Sequence, residues 1–318
     1  MITLAESKVG MAPHMDQSII DEFRRGSLLL DRLVFDNAVS PGTGGSTLTY
    51  GYVRLTTPST ASFRAINGTY TANEAKRAPA SVDLKIFGGN FQVDRVLINT
   101  SGAVDELNFQ LQEKIKGAIN LFHNTVINGN SANNALEFDG LDKILTGSST
   151  EMTSTSDLST SALMDTNYSA FLDEMDSFVA NLDGKPTMFL VNSKMKAKLK
   201  GVARRAGYYS RVEDAFGRSI DMWDDIAIVD LEEYYNGTTS EPVVKIDSTT
   251  GKTDIYAVSV ALDGFHGVSP KGDKIISAYL PDLKTAGTVK EGDVEMVAAV
   301  ALKNTRKAGV LRGIKVNP

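Results

Sequence analysis

A group of acidic residues around Trp223 has the side chains best suited to chemistry in this sequence. Its members are Asp221, Asp224, Asp225, Asp230, Glu232 and Glu233. Two neighbouring carboxylates can share acid–base work, and several together can bind a divalent cation. The spacing of these residues matches no known cation-binding loop. Solvated acidic edges are therefore the favoured interpretation, and a carboxylate site is the alternative.

The three histidines, His14, His123 and His266, lie far apart in the sequence, and the chain contains no cysteine. Disulfides and thiolate metal sites are therefore excluded, and a zinc site of the usual ligand spacing is not expected. His266 stands in the turn sequence DGFHG, with no pattern of nucleophile and base around it. The sequence thus predicts no catalytic site, no metal site and no cofactor, and we expect a protein that is not an enzyme.

Composition and charge are those of an ordinary globular protein. The chain has 318 residues, of which 42% are hydrophobic and 23% charged, and this length suits about two domains. Its net charge of −6 has the wrong sign for a protein that binds nucleic acid over a broad face. No apolar run approaches the roughly 18 residues that cross a bilayer, so no membrane partner is expected.

One long helix is predicted between residues 100 and 127. Its apolar residues recur with the three-and-four spacing of one helical face. They are Val104, Leu107, Leu111, Ile115, Ala118, Ile119, Phe122 and Val126. Thr100 or Ser101 can cap its start, and Asn128-Gly129 supplies a stop. Since only one face is apolar, we expect this helix to lie against a sheet.

The segments before that helix have apolar and charged faces without an evident partner in the chain. Residues 1–38 are predicted to form an N-terminal arm, and residues 39–92 an extended β-ribbon with a tight turn at Asn67-Gly68. An isolated ribbon is at best marginally stable in water, so it folds back on its own domain or reaches a neighbouring subunit. The candidates for contact between subunits are Arg54, Arg64, Lys76, Arg77, Phe23 and Leu29.

A second domain is predicted from the alternation of elements over residues 166–282. An amphipathic helix, the short apolar strand Met188–Val191 and a second helix are followed by further strands, as in an α/β unit. The second helix has a basic side, for which a solvated face or a subunit contact is favoured over a nucleic-acid site. Two β-rich runs then end the sequence. The chain therefore leaves the domain of the long helix and returns to it.

This order of parts resembles the major capsid protein of tailed bacteriophages, which has the Hong Kong 97-type fold. Several stretches are similar to that family as well, namely EFDGLDKIL, KPTMFLVNSKMKAKLKG, DIYAVSVALDGFHGVSP and DVEMVAAVALKNTRKAGVLRGIKV. The resemblance implies an α+β fold with an N-arm, an extended loop, a peripheral domain that contains the spine helix, and an inserted axial domain. Their bounds would be 1–38, 39–92, 93–165 with 283–318, and 166–282.

The resemblance further implies a structural protein that self-assembles as hexamers and pentamers into an icosahedral shell around phage double-stranded DNA. Such a protein belongs to the virion and is assembled in the cytoplasm of the host bacterium. The implied partners are other copies of the chain, a separate scaffolding protein, a portal protein and, in some relatives, a decoration protein. Some relatives also crosslink their subunits through Lys–Asn isopeptide bonds. Lys76 and Asn304 have the right types, but no matching motif surrounds them and packing alone is expected.

Two other classes of protein are also compatible with the sequence. An encapsulin-type nanocompartment shell protein has the same fold but encloses an enzyme cargo instead of DNA. A soluble α/β enzyme is the second alternative, and the lack of a catalytic group in the sequence counts against it. The DNA itself would be enclosed without sequence-specific binding, as the acidic net charge suggests.

Overall fold

The computed structural model describes residues 27–38, 47–96, 106–207, 210–213, 219–270, 275–281 and 286–318. The predicted contact residue Phe23 and the predicted helix caps Thr100 and Ser101 lie outside these ranges. The first elements are α1 (Leu28–Arg32), β1 (Phe35–Asn37), β2 (Thr49–Thr57), β3 (Lys76–Asp83), β4 (Lys85–Asp94), α2 (Glu106–Asn128), α3 (Leu141–Leu145) and β5 (Glu151–Thr153).

The second half of the chain adds two helices and most of the strands. In order they are α4 (Ser161–Ala180), β6 (Met188–Val191), α5 (Ser193–Ala206), β7 (Ser210–Glu213), β8 (Ser219–Trp223), β9 (Ile226–Asp230), β10 (Glu233–Tyr235), β11 (Ser240–Pro242), β12 (Lys252–Val258), β13 (Phe265–Ser269), β14 (Ile276–Tyr279), β15 (Val289–Leu302) and β16 (Ala308–Lys315). The mixture of helices with mainly antiparallel sheets makes this an α+β protein.

The long helix α2 confirms the prediction from hydrophobic spacing. Its 23 residues span about 34 Å at 1.5 Å per residue. The predicted apolar face is buried, with Ile115, Phe122 and Val126 at most 1% exposed, and it packs against β4 and β15. A Cβ atom at Gly129 would lie 2.3 Å from the Phe138 carbonyl oxygen, so the chain can turn there only at glycine. None of the helices that the structure describes is long and apolar enough to cross a membrane.

The first sheet is organised around β15, the longest strand described. Residues 289–298 of β15 pair antiparallel with the whole of β4. On its other edge, residues 293–296 pair with β14, and residues 299–302 pair with β13, which in turn pairs with β1. The sheet therefore joins elements that lie more than 200 residues apart in sequence, and α2 covers one of its faces.

Gly88-Gly89, for which the isolated strand sequence suggests a β-bulge, lies instead in regular register. Gly88 stands opposite Glu295, and Gly89 opposite Val294. A Cβ atom on Gly88 would lie 1.9 Å from the carbonyl oxygen of Val294. Glycine is therefore required by the close approach of the two strands, and no extra residue is inserted.

We expect Gly88→Ala to lower the free energy of unfolding by about 2–3 kcal/mol, because β4 and β15 must separate to admit the methyl group. Urea denaturation followed by circular dichroism measures the change. Gly51→Ala on β2 is the matched control, since a Cβ atom there meets nothing within 4 Å. Equal losses in both variants would contradict this explanation.

The second sheet has the strand order β5-β16-β12-β6-β9-β8-β7. Ile255 and Ala257 of β12 pack with α4 and α5 on one face, and Tyr256 and Val258 pack with the rest of the molecule on the other. All four side chains are at most 3% exposed. In the sequence, Ile255-Tyr256-Ala257-Val258 is apolar on both faces, which predicts a strand in the middle of a covered sheet, and the structure confirms this.

Strand pairing crosses the predicted domain bounds. β4, most of which the sequence places in the extended loop 39–92, belongs to the first sheet. β13 and β14, placed in the axial domain 166–282, also pair with β15, whereas β16 of the closing segment 283–318 pairs with β12. Hydrophobic alternation marks a strand but not its partner, so this pairing could not be predicted. The four-part division itself stays a prediction.

A partly buried ion cluster around Arg312 joins the elements next to α2 to the second sheet. Its guanidinium lies 2.7 Å from Asp142 of α3 and 3.0 Å from Asp254 of β12, and it also contacts Glu151 of β5. The Tyr256 hydroxyl donates to Asp142 at 3.2 Å. One cation thus contacts carboxylates from three elements.

Candidate subunit interface

The paired strands β2 and β3 form a two-stranded ribbon that extends from the first sheet. The register runs from Thr49 opposite Asp83 to Thr57 opposite Lys76, with a shift between Leu55 and Thr57. Residues 58–77, which we call the ribbon tip, contain the predicted turn at Asn67-Gly68, closed by a 3.0 Å hydrogen bond from the Gly68 amide to the Ala65 carbonyl oxygen. The tip is exposed throughout.

The ribbon presents large apolar side chains that no described residue covers. Phe63 is fully exposed, Ile66 is 94% exposed and Tyr70 is 65% exposed. Val53 and Leu55 on β2 are exposed as well. Apolar groups collected on one extended surface are typical of sites that bind another protein. These five residues were not among the predicted contacts, because polar neighbours in the sequence hide their arrangement.

The basic residues of the ribbon tip lie among those apolar groups. Arg64, Lys76 and Arg77 are all exposed within the tip, and their contact with a neighbouring subunit stays a prediction. The Arg64 guanidinium lies 5.5 Å from the centre of the Tyr70 ring. Residues 47–84 have four basic and two acidic side chains, a local charge of +2 in a chain whose total is −6. The tip is therefore apolar and basic on an acidic protein.

Arg54, predicted to contact a neighbour, is bound within its own subunit. Its Nη2 donates to the Leu302 carbonyl oxygen at 2.7 Å, and its Nε donates to the Lys303 carbonyl oxygen at 3.2 Å. The Tyr52 hydroxyl donates to the Leu302 oxygen at 3.3 Å. These bonds fix the ribbon to the C-terminal end of β15, and a contact of the half-exposed Arg54 with a neighbouring subunit stays a prediction. The sequence alone could not show that the end of β15 lies close to Arg54.

A second polar contact holds the same end of the ribbon. The Tyr50 hydroxyl donates to Asp36 of β1 at 2.5 Å, and Lys303 lies 3.8 Å from the same carboxylate. Burial raises the pKa of Asp36, but hydrogen bonds from Tyr50 and the Asn37 amide, with the charge of Lys303, outweigh it and hold that pKa below its usual value. The ribbon thus has a fixed root and a free tip.

Leu29, the other arm residue predicted to contact a neighbour, is fully buried in its own subunit. It belongs to α1, whose cap is Ser27: the Ser27 Oγ accepts from the Leu30 amide at 3.3 Å and lies 2.5 Å from Nε2 of His123 on α2. Leu29 therefore packs within its own subunit and not against a neighbour, which corrects its assignment as an intersubunit contact.

The two described histidines occupy buried structural positions. Burial lowers the pKa of His123 to about 4, so its ring is neutral at pH 7 and bonds to Ser27. His266 is fully buried, its Nδ1 lies 3.2 Å from the Gly264 carbonyl oxygen, and burial lowers its pKa too. The hydroxyl beside the His123 ring, that of Ser27, is itself buried and caps α1.

The acidic residues around Trp223 do not converge on one site. Asp221 is buried and lies 3.7, 3.1 and 3.7 Å from Lys196, Lys200 and Arg211. Asp224 lies 3.0 Å from Lys185 instead. Across the described residues, no cluster of three histidine or acidic side chains could hold a metal ion. Part of the basic side of α5 is thus occupied by an ion cluster inside the subunit.

Asn304, considered as a crosslinking residue, is held within its own subunit. Its side-chain amide donates to Asp183 at 2.9 Å, and its Oδ1 accepts from the Arg306 amide at 3.0 Å. It caps the short turn Thr305–Lys307 before β16. Lys76, the other residue of the pair, lies on the exposed ribbon.

The same fold occurs in solved structures of protein shells. The holo-SrpI encapsulin complex from Synechococcus elongatus is similar with a TM-score of 0.58 and 15% identity, over 90% of this chain and 87% of that one. The capsid of a native GTA particle is similar with a TM-score of 0.57 and 11% identity, over 91% of this chain and 90% of that one. The capsid of Myoviridae phage XM1 is similar with a TM-score of 0.55 and 12% identity, over 90% of this chain and 91% of that one. No protein-family model and no curated protein matches the sequence.

The chain therefore has the Hong Kong 97-type fold of phage capsid and encapsulin shells. This confirms both the α+β class and the fold that the order of arm, ribbon, long helix, inserted domain and closing strands indicates.

Proposed function

We propose that this chain is a shell subunit, which self-assembles as hexamers and pentamers into an icosahedral shell enclosing phage double-stranded DNA. The observation that carries this proposal is the ribbon, whose root is fixed at Tyr50 and Arg54 while its tip exposes Phe63, Ile66 and Tyr70 to solvent. A surface of this kind is stable when another molecule covers it. The fold, shared with capsids, supports a neighbouring copy as that molecule.

Assembly then depends on many modest contacts made at once. Burial of a large apolar side chain contributes about 1.5–3 kcal/mol, and association itself costs several kcal/mol. One ribbon gives a weak pair of subunits, whereas a ring in which each subunit gives and receives a ribbon is stable. Because each single contact is weak, assembly is cooperative and the free subunit is soluble enough to diffuse.

The charge of the protein suits a container for DNA. With +2 on residues 47–84, the remainder of the chain has a net charge of −8, and such a wall repels the phosphate backbone. We propose enclosure without sequence-specific binding, no catalytic role and no cofactor. The proposed partners are a separate scaffolding protein, a portal protein and a decoration protein. The proposed location is the virion, after assembly in the cytoplasm of the host bacterium.

An encapsulin-type nanocompartment is the second candidate, and the similarity to the holo-SrpI encapsulin complex favours it. The two candidates differ in what the shell contains. Particles that co-purify with nuclease-protected DNA support the capsid, and particles that hold a protein cargo and no DNA support the nanocompartment.

Negative-stain electron microscopy with light scattering tests the proposal directly. We expect rings of five or six subunits, tubes or closed shells. A uniform monomer of 34.3 kDa, at high concentration and with scaffolding protein present, would overturn the proposal for both kinds of shell.

We expect the double variant Arg64→Glu/Arg77→Glu to lower the yield of assembled particles by about tenfold or more, since reversed charges repel an acidic neighbour. The monomer should fold normally, because both side chains are exposed. Arg204→Glu/Lys245→Glu makes the same change of charge at exposed positions outside the ribbon and serves as the control. Unchanged yield for the ribbon variant in light scattering would contradict the role given to these residues.

A further inference from the structure

The chain contains three asparagines that are directly followed by glycine, namely Asn67, Asn128 and Asn236. Such a dipeptide can react with itself, because the backbone nitrogen of glycine has no Cβ atom beside it to hinder its attack on the preceding side-chain amide. Water then completes the conversion of asparagine to aspartate. The rate depends on how firmly the local fold holds the two reacting groups, and the structure holds the three dipeptides very differently.

The dipeptide at Asn128 is held on both sides of the reacting bond. The Asn128 side-chain nitrogen donates to the Val243 carbonyl oxygen at 2.8 Å and to Oδ1 of Asn124 at 3.0 Å. The Gly129 amide donates to the Thr125 carbonyl oxygen at 2.9 Å. All of these bonds must break before the nitrogen of Gly129 can reach the side chain, and each of them opposes the reaction.

The dipeptide at Asn236 lies in the exposed turn between β10 and β11, but its side chain is fixed. Oδ1 of Asn236 accepts from the amides of Thr238 and Thr239 at 2.9 and 3.0 Å, and its Nδ2 donates to the Thr239 hydroxyl at 3.2 Å. The Tyr235 hydroxyl donates to the Gly237 carbonyl oxygen at 2.8 Å. This dipeptide too reacts only after hydrogen bonds have been lost.

The dipeptide at Asn67 is held least. It lies on the exposed ribbon tip, and within the described ranges the Asn67 side chain makes no hydrogen bond. The Gly68 amide makes one, to the Ala65 carbonyl oxygen, which closes a four-residue turn. Asn67 is the third residue of that turn, with a φ of 64°, as suits asparagine or glycine there. A single hydrogen bond in an exposed turn opens readily.

The Arg64 guanidinium lies against the same turn. Its Nη1 donates to the carbonyl oxygens of Ala65 and Gly68 at 3.3 and 3.4 Å. The reaction requires the Gly68 nitrogen to lose its proton and then places negative charge on the side-chain oxygen of Asn67. A positive charge close by favours both of these charged forms. The turn thus combines an unrestrained side chain with a cation that promotes its reaction.

We propose that Asn67 is a site of spontaneous deamidation in the unassembled subunit, with hydroxide as the base and water as the co-reactant. The deprotonated Gly68 nitrogen forms a bond to Cγ of Asn67. The bond from Cγ to Nδ2 breaks, and water supplies the proton with which ammonia leaves. A second water adds to either carbonyl carbon of the cyclic imide, which opens to aspartate or isoaspartate. No electrons are transferred, and the residue gains one negative charge.

The consequence of this reaction for a shell rests on the proposed function. Deamidation lowers the charge of residues 47–84 from +2 to +1. The new carboxylate arises in the turn to which the Arg64 guanidinium is already bonded. Arg64 then has an acidic partner within its own subunit, so its charge attracts an acidic neighbour less strongly. A subunit that stays unassembled therefore loses its capacity to assemble with time.

Site-resolved mass spectrometry of tryptic peptides measures the conversion. Full-length subunits are kept unassembled at low concentration, at neutral and at mildly alkaline pH, and are sampled over days. We expect Asn67 to convert at least about tenfold faster than Asn128 and Asn236, because those two must first lose several hydrogen bonds. The rate should rise with pH, since hydroxide removes the amide proton. Equal rates at the three positions, or no conversion at Asn67, would overturn the inference.

Two variants test the roles given to the neighbours of Asn67. Gly68→Ala should abolish the conversion over the same interval, because a Cβ atom then flanks the attacking nitrogen. Arg64→Gln should slow it by about threefold, the effect of one unit charge at short range in water. Lys245→Gln removes one exposed positive charge outside the ribbon and is the control, which should leave the rate unchanged. An unchanged rate in Arg64→Gln would overturn the role given to that side chain.

Light scattering of assembled particles tests the consequence separately. Asn67→Gly retains the positive φ and cannot deamidate, so it should assemble like the original protein. Asn67→Asp has the charge of the product from the start and should lower the yield by about threefold or more. Equal yields would overturn the consequence and leave the modification site standing. If the original protein never assembles, the shell function fails, whereas the measured rates still decide whether Asn67 is the site.

Discussion

Replacing Arg312 with alanine is expected to lower the free energy of unfolding by about 3–4 kcal/mol, the largest stability effect of any single substitution considered in this chain. Removing one partner from a buried ion pair typically costs about 3–5 kcal/mol. The Arg312 side chain is only 23% exposed and leaves Asp142, Glu151 and Asp254 behind without a cation. All three carboxylates are partly exposed, with 24–46% of each side chain accessible, so the lower end of that range applies.

The pH dependence of the stability that Arg312→Ala loses identifies the cause of that loss. In the original protein the Gly147 amide, followed by Arg312, lowers the pKa of Glu151, so its contribution to stability is present at pH 7 and is lost as the pH falls through that pKa. Burial raises the pKa of Asp254, so protonation of that residue favours the folded state. In Arg312→Ala the pKa values of these carboxylates rise further. The stability gap between the two proteins should therefore narrow from pH 7 to about pH 4.5.

Urea denaturation at both pH values measures this gap. Arg204→Ala, at an exposed position of α5, is the control and should change stability by no more than about 0.5 kcal/mol. Arg312→Lys retains the charge without the planar fork and should fall between the two variants. A loss below about 1 kcal/mol for Arg312→Ala, or a gap independent of pH, would contradict the role assigned to the cluster.

Phe63→Ser/Ile66→Ser is expected to abolish assembly while leaving the subunit as stable as before. Aromatic and aliphatic anchors at the centre of an interface contribute about 2 kcal/mol or more each. In a ring or shell that loss is repeated at every contact between copies. Both side chains are almost fully exposed in the subunit, so their removal takes nothing from its own core.

Light scattering and electron microscopy measure the yield of particles, and thermal unfolding measures the stability of the subunit. Leu262→Ser/Val212→Ser removes two exposed apolar side chains outside the ribbon and is the matched control. Assembly of the ribbon variant at the original yield would exclude these two side chains as anchors. A lowered unfolding temperature would instead place them in the fold of the subunit.

Local features of this protein could be predicted from sequence because the interactions that form them are local. The apolar spacing from Leu111 to Val126 sets the face of α2, and the turn at Asn67-Gly68 follows from backbone freedom at two residues. The apolar run of β12 likewise indicated a strand covered on both faces. Each of these depends on residues within a few positions of one another.

Features formed by distant residues could not be predicted in this way. Arg54 bonds to carbonyl groups almost 250 residues later in the chain, and β16 enters the second sheet, not the first. Nothing near Arg54 distinguishes a residue that anchors the ribbon from one that meets a neighbour. Of the candidate interface, sequence therefore supplied the basic residues of the tip, whereas the exposed state of Phe63 and Ile66 required the structure.

The length of β15 has a geometric consequence for any lattice built from this subunit. The ribbon is bonded at one end of this strand, to Leu302 and Lys303, and the pairing with β14 begins at Asp293. About 30 Å of hydrogen-bonded backbone separates these two points. A strand paired on both edges resists stretching, and this interval is therefore the same in every copy. In the proposed shell, pentagonal and hexagonal environments would then differ in the angle at which the ribbon leaves. The register shift between Leu55 and Thr57 interrupts the regular pairing of the ribbon, and a bend there leaves the spacing along β15 unaltered.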